Sequence, residues 1–267
     1  MFSQSPSPHL QAKGSVPQTM WVLLAALLPL TVVSIFSSGG GLFRVVLMTL
    51  AGSLLAEVGM RHFLKKPVTL YDGSAAVNAF ILALILPPGL PSWMVILGAA
   101  FGTAVAKEVF GGLGQNLFHP ALVGNAFLLL TFPLALNASP GPVNFPAAFA
   151  ALLGGLILIF SKVISWDTPL LYLMGIFIFS MIFGEGIGAA PVFLAAFFLV
   201  TDSVTTPLTR WGKQGFAIGA ALLTAFFRKW GAGPAEGITY GVLLMNALTP
   251  RLDHWLRPAR ARKAAAQ

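Results

Sequence analysis

Apolar residues recur along the whole chain in blocks of membrane-crossing length, separated by short polar or Pro/Gly-containing breaks. A helix needs about 20 largely apolar residues to cross the hydrocarbon core of a bilayer. Windows of that size place candidate spans at 19–37, 42–60, 74–87, 92–109, 119–134, 146–163, 168–184, 187–201, 214–229 and 237–250. The third, fifth, eighth and tenth are short. The pattern predicts an all-α integral membrane protein of about ten transmembrane helices.

Two stretches of the chain match in order and approximate spacing. The first begins at Ser74-Ala-Ala-Val-Asn78, meets a break at Pro87, Pro88 and Pro91, and continues through Gly111-Gly112-Leu113-Gly114 to Val123-Gly124-Asn125-Ala126. The second begins at Gly188-Ala-Ala-Pro191, meets the polar break Thr201-Asp202-Ser203-Val204-Thr205-Thr206-Pro207, and continues through Gly231-Ala232-Gly233-Pro234 to Leu244-Met245-Asn246-Ala247. A unit of five helices enters the membrane from opposite sides in its two copies. The expected organisation is a cytoplasmic segment 1–18, a first repeat 19–135, a short external loop 136–145, an inverted second repeat 146–250 and a basic cytoplasmic tail 251–267. Interrupted spans at matching positions of inverted repeats point to a binding site near the midplane. Irregular backbone at that depth is tolerated only where it is buried in protein or lines a cavity. The plainer explanation is that small-residue-rich membrane helices resemble one another by composition.

Composition agrees with lipid as the solvent. Of 267 residues 57% are hydrophobic and 9% are charged, against roughly 25% charged in soluble domains. The net charge of +8 is not a nucleic-acid signal, because of where the cations fall. With the N-terminus inside, 13 of the 16 Lys and Arg residues lie in cytoplasmic segments and only Arg44, Arg228 and Lys229 outside. That bias sets both ends in the cytoplasm, and the cations from Arg257 to Lys263 read as a lipid-facing anchor. The first 18 residues are polar and the first apolar block has span length, so no cleaved signal is expected. There is no cysteine, and the histidines His9, His62, His119 and His254 are far apart. No metal site is expected, and a redox cofactor must be organic or belong to another subunit.

Polar groups inside spans are costly and are functional candidates by default. Asn116 and His119, three residues apart where the fifth span opens, could face one cavity; His119 either caps the helix or bonds a ligand. Asn125 and Asn246 occupy matched repeat positions and could join helices across the repeat interface or touch a ligand. Asp202, followed by the hydroxyls of Ser203, Thr205, Thr206 and Thr209, could seat a cation, bond a polar ring or cap its own loop. Glu57, Glu108 and Glu236 lie near span ends and read as interfacial. Trp93, Trp166, Trp211, Trp230 and Trp255 fit an interfacial belt. No catalytic Ser/His/Asp set and no phosphate-binding loop is present.

Five stretches resemble one family: Asp72-Gly-Ser-Ala-Ala76, Leu86-Pro-Pro88, the run from Lys107 to Gly124 containing Gly111-Gly-Leu-Gly-Gln-Asn116, Thr201-Asp-Ser-Val-Thr-Thr-Pro207, and Glu236 to Asp253. They look like the RnfD/NqrB family: RnfD of the Rnf electron-transport complex, and its relative NqrB of the sodium-translocating NADH:quinone reductase. The resemblance implies a ten-helix inverted-repeat bundle of urea-transporter type. It implies a bacterial inner-membrane complex that couples electron transfer between NADH and ferredoxin pools to Na⁺ or H⁺ movement, with other Rnf-type membrane and peripheral subunits as partners. It also implies flavins: FMN joined to the last Thr of a Ser-Gly-Ala-Thr-like motif in an external loop, and a non-covalent riboflavin near positions corresponding to Asn116 and His119. Here the external segment Leu136-Asn-Ala-Ser-Pro-Gly-Pro-Val-Asn-Phe145 contains no Thr and Ser-Gly-Ala-Thr occurs nowhere, so covalent FMN is not expected. A non-covalent flavin (riboflavin or FMN) with Asn116, His119 and Asp202 as its contacts stays open. So do a structural scaffold without flavin and a small polar solute channel of urea-transporter-like fold.

Overall fold

In the computed structural model, which describes residues 16–137, 145–184, 186 and 189–256, the helices fall where the apolar blocks fall. They are α1 (Val16–Ser37), α2 (Gly41–Phe63), α3 (Ser74–Ile85), α4 (Ser92–Phe101), α5 (Pro120–Thr131), α6 (Pro133–Asn137), α7 (Phe145–Phe160), α8 (Asp167–Phe183), α9 (Ala189–Leu194), α10 (Arg210–Lys229) and α11 (Pro234–Leu256). No strand occurs among the described residues. The last helix corrects the expectation of a short tenth span: it has 23 residues and carries Pro250 inside it. Most of the segment 136–145 and all of 257–267 lie outside the described residues, and with them the expected external loop and most of the basic tail. Two helices, Pro17–Ser37 and Gly41–Phe63, are long and apolar enough to cross a membrane by length and composition alone. Shorter apolar helices include Ser74–Ile85, Pro120–Thr131 and Phe145–Phe160.

Local chemistry explains the ends. Gly73 (φ 73°) turns the chain into α3, and Asp72 Oδ1 accepts from the backbone N and the hydroxyl of Ser74 at 2.8 and 2.6 Å. Leu86-Pro87-Pro88 stops α3, because proline cannot donate to the helix ladder. Pro120 opens α5, where the lost donor is not missed. Thr209 caps α10 by accepting from Gly212 N at 3.1 Å. Two helices end in π-helical turns, α4 through Gly102–Glu108 and α9 through Ala195–Leu199. Such wider turns often occur at functional sites.

Helix α1 packs on α3 and α7, α2 on α3 and α4, α8 on α10, α10 on α11, and α5 meets α11. The interior holds Leu27, Leu42, Ile81, Leu122, Leu158 and Phe216, all fully buried. Small residues bring backbones together: Gly102 faces the Pro120 carbonyl and Gly154 the Ala26 carbonyl, leaving no room for a side chain. Close approach of this kind suits helices packed without a hydrophobic drive from water. The outside is apolar as well, with Phe36, Leu55, Phe63, Leu130, Phe160 and Met181 exposed. The five tryptophans expected at interfaces are all exposed. A surface of this kind is the surface of a membrane protein.

Candidate functional site

One cavity brings together residues that are remote in sequence. Its wall is formed by the start of α1 (Met20, Leu23), α3 (Ser74, Val77, Asn78, Ile81), Lys107, the segment Leu113–Pro120, the α7–α8 link (Val163, Ile164) and the end of α9 with its following break (Phe198, Thr201–Val204). Asn116, His119 and Asp202 all line it. Its free room is about 30 Å³, space for a single water. A ring-sized ligand therefore enters only if side chains of the wall such as Met20 and Phe198 turn aside.

Two of these three candidate residues carry a buried polar atom without a hydrogen-bond partner. His119 precedes α5 and is buried, yet its side chain does not cap the helix. Its Nδ1 and the Oδ1 of Asn116 have no hydrogen-bond partner among the described residues. Buried polar atoms left unpaired are costly and call for a ligand or water. Asn116 is itself held loosely, through Nδ2 to the Phe118 carbonyl at 3.5 Å. Asp202 serves its own loop as well as the wall: its Oδ2 accepts from Thr205 N at 3.2 Å and from Thr205 Oγ1 at 2.7 Å.

Asn125 and Asn246 do not bond to each other. Each instead holds the opposite helix. Asn125 Nδ2, on α5, donates to Thr239 Oγ1 of α11 at 2.8 Å. Asn246, on α11, accepts at Oδ1 from His119 N at 3.2 Å and donates from Nδ2 to the Thr205 carbonyl at 3.2 Å. One fully buried carboxamide thus ties both walls of the cavity, the His119 side and the Asp202–Thr205 turn. Only Asn246 of the pair reaches them.

Two acidic residues expected at the membrane interface are in the interior. Glu57 of α2 and Glu108 at the π-helical end of α4 are fully buried, with Arg61 and Lys107 beside them. Lys107 Nζ lies 2.8 Å from Glu57 Oε2 and 3.5 Å from Glu108 Oε1; Arg61 Nε lies 3.1 Å from Glu108 Oε2. Arg61 also donates to the Pro67 carbonyl, and Thr69 Oγ1 donates to Glu57. The reason is mutual: each charge offsets part of the cost of burying the next. Sequence reasoning missed this group because its halves are 50 residues apart; the one available signal was two cations within four residues of two acids near span ends. Glu236, by contrast, is half-buried and accepts from Gly233 N at 3.0 Å, capping the start of α11.

Comparison with known proteins assigns a family. The model of the NQR2, RnfD, RnfE family matches residues 3–143 and 135–262, two pieces that overlap at the segment without the Thr motif. The D-type subunit of the proton-translocating ferredoxin:NAD(+) oxidoreductase complex of Clostridium ljungdahlii is 31% identical, covering 97% of this chain and 96% of its own. Its counterpart in the Na(+)-translocating ferredoxin:NAD(+) oxidoreductase complex of Acetobacterium woodii is 33% identical over 95% and 93%. The counterpart in an ion-translocating oxidoreductase complex of Methanosarcina acetivorans is 30% identical over 94% of each. The first alignment spans 318 positions and the third 273, against 267 residues here, so the Clostridium relative carries additional residues. The chain belongs to the NQR2, RnfD and RnfE family.

Proposed function

We propose that this chain is the RnfD-like membrane component of an Rnf-type complex in a bacterial inner membrane, coupling electron transfer between NADH and ferredoxin pools to movement of Na⁺ or H⁺. The names of its relatives support the reaction and imply other membrane and peripheral subunits as partners. The observation that carries the site is the convergence of Asn116, His119 and Asp202 on one cavity, with buried Asn116 Oδ1 and His119 Nδ1 unpaired. Two inverted five-helix halves are the architecture we favour. The matched pairings α2 with α4 and α8 with α10, α1 with α3 and α7 with α9, support it, as does the reciprocal grip of Asn125 and Asn246. Both termini then face the cytoplasm.

The free polar atoms suit a non-covalent flavin. The pyrimidine edge of that ring offers an N–H between two carbonyls, and a carboxamide oxygen with an imidazole nitrogen can accept and donate to it. Such a ring would supply the capacity to accept and release electrons. The protein's part is to hold and orient it: Asn116 and His119 at its polar edge, Asp202 at the mouth, and Leu23, Leu113, Ile164 and Phe198 keeping water out. No covalent FMN is proposed, since 136–145 lacks the threonine.

Purification of the tagged chain from its native membranes in mild detergent tests the reading. Iron–sulfur and flavin absorbance should travel with it, and acid precipitation should release the flavin belonging to this chain. Recovery of the chain alone, colourless and passing urea in liposomes, would establish a solute channel instead.

A further inference from the structure

A second hollow lies on the apolar outer face, between α5, the π-helical end of α4 and Leu243 of α11. It is an open groove with about 540 Å³ of free room, and Thr131 is its one polar residue. The small side chains of Ala106, Val123 and Ala126 line it beside Phe101 and Phe127, whose rings stack with centres 4.1 Å apart. Helices α4 and α5 run antiparallel, since Gly98 meets Leu128 while Gly102 meets the Pro120 carbonyl and Gly124. Leu130 and Phe110, both exposed, therefore mark opposite ends of the groove. Val123 to Leu130 rises about 10 Å and Phe101 to Phe110 descends about 13 Å the other way, so the groove is about 25 Å long. Spread over that length, 540 Å³ gives a section of about 20 Å², close to that of one extended hydrocarbon chain. A helix is about 10 Å across and needs about four times that section.

One end of the groove is cationic. Helix α11 runs antiparallel to α5, with Asn246 beside His119 and Thr239 beside Asn125. From Leu243 it continues towards the Phe110 end, and Arg251 lies about 12 Å further along it. Leu243, Ala247, Pro250 and Arg251 fall on one stripe of the helix. Arg251 is exposed, and its guanidinium makes no ion pair or hydrogen bond among the described residues. We propose that this groove is a binding site for an anionic phospholipid, with one acyl chain along α5 and the phosphate on Arg251. The chain removes apolar walls from the irregular lipid packing around them, and the guanidinium supplies paired donors to the phosphate oxygens. Cations at one membrane face favour anionic head groups.

Phosphatidylglycerol carrying a photoreactive group midway along one acyl chain tests this, in phosphatidylcholine vesicles containing the purified chain with the subunits that accompany it. Label should map to 101–110 and 118–131. Unlabelled phosphatidylglycerol should displace it at about one-fifth of the phosphatidylcholine concentration needed, the weight of one cation near an anionic head group. Arg251→Gln, at an exposed position, should fold normally, keep the label in the groove and lose that fivefold preference. Ala126→Phe should lose the groove label; if it fails to fold, Arg251→Gln decides alone. Label spread evenly over exposed apolar positions such as Leu55 and Met181 overturns the proposal. So does a preference that is absent from the wild type or unchanged in Arg251→Gln. A photoreactive phenylalanine in place of Phe110 should join to phospholipid; joining to another polypeptide instead gives the groove to a partner helix and overturns the proposal as well.

Discussion

Asn125 and Asn246 stand in two helices, α5 and α11, that pack on each other, yet the contacts around them make them unequal. Removing Asn125 leaves Thr239 Oγ1 still donating to the Ala235 carbonyl at 2.8 Å, so no buried group is orphaned. Removing Asn246 leaves His119 N without its acceptor, while the Thr205 carbonyl keeps only Thr249 Oγ1 at 3.0 Å. A lost hydrogen bond costs about 1 kcal/mol and an orphaned buried donor about 1–3 kcal/mol more. Asn246→Ala should therefore lower the thermal unfolding temperature in detergent more than Asn125→Ala, and should weaken riboflavin binding at least tenfold where Asn125→Ala leaves it unchanged. Equal binding by the two variants would remove Asn246 from the site. That Asn125 and Asn246 join helices could be anticipated from polar groups in apolar spans. That the partner of Asn246 is a backbone amide at His119 could not, because it depends on which helix end lies beside α11. Asn116, His119 and Asp202 were legible as candidates through their breaks and hydroxyl runs; their meeting in one cavity needed the fold.

At the scale of helices, the positions were legible and the inner geometry was not. Each apolar block became a helix because a run of that length in lipid has no other way to satisfy its backbone. The π-helical turns at Gly102–Glu108 and Ala195–Leu199 left no mark in a Gly/Ala-rich pattern, since a wider turn needs no special residue. Yet the first of these turns carries Lys107 and Glu108, which pair with Glu57 and Arg61 of α2 in the interior. It is held against α5 by the contact of Gly102 with the Pro120 carbonyl. A methyl group there pushes α4 off α5, and overpacking costs about 1–3 kcal/mol. Gly102→Ala should lower the unfolding temperature and weaken riboflavin binding together. Gly59→Ala, at an exposed helical position of α2 with open space around it, should leave both unchanged or raise the temperature slightly. The opposite order would mean that the α4–α5 contact does not shape the cavity.

At the scale of the whole molecule, the distribution of Lys and Arg makes a topological claim that this chain is well suited to test, because it has no native cysteine. Single cysteines at exposed Lys66 and Ser161 should react with a membrane-impermeant maleimide only in inside-out vesicles, and those at exposed Ser37 and Lys229 only in right-side-out ones. Ser37 and Ser161, at the matched ends of α1 and α7, labelled from one side would refute the inverted arrangement. The charge bias was readable along the chain because cations avoid translocation one loop at a time. The burial of Glu57, Arg61, Lys107 and Glu108 was not, because a neutral group erases its own signal once its members are paired. One consequence follows from the way Asn246 grips the cavity. Any tilt or slide of α11 drags the start of α5 and the Asp202 turn with it, like two doors hung on one hinge pin. Movement between these helices and the width of the entrance are therefore a single mechanical coordinate.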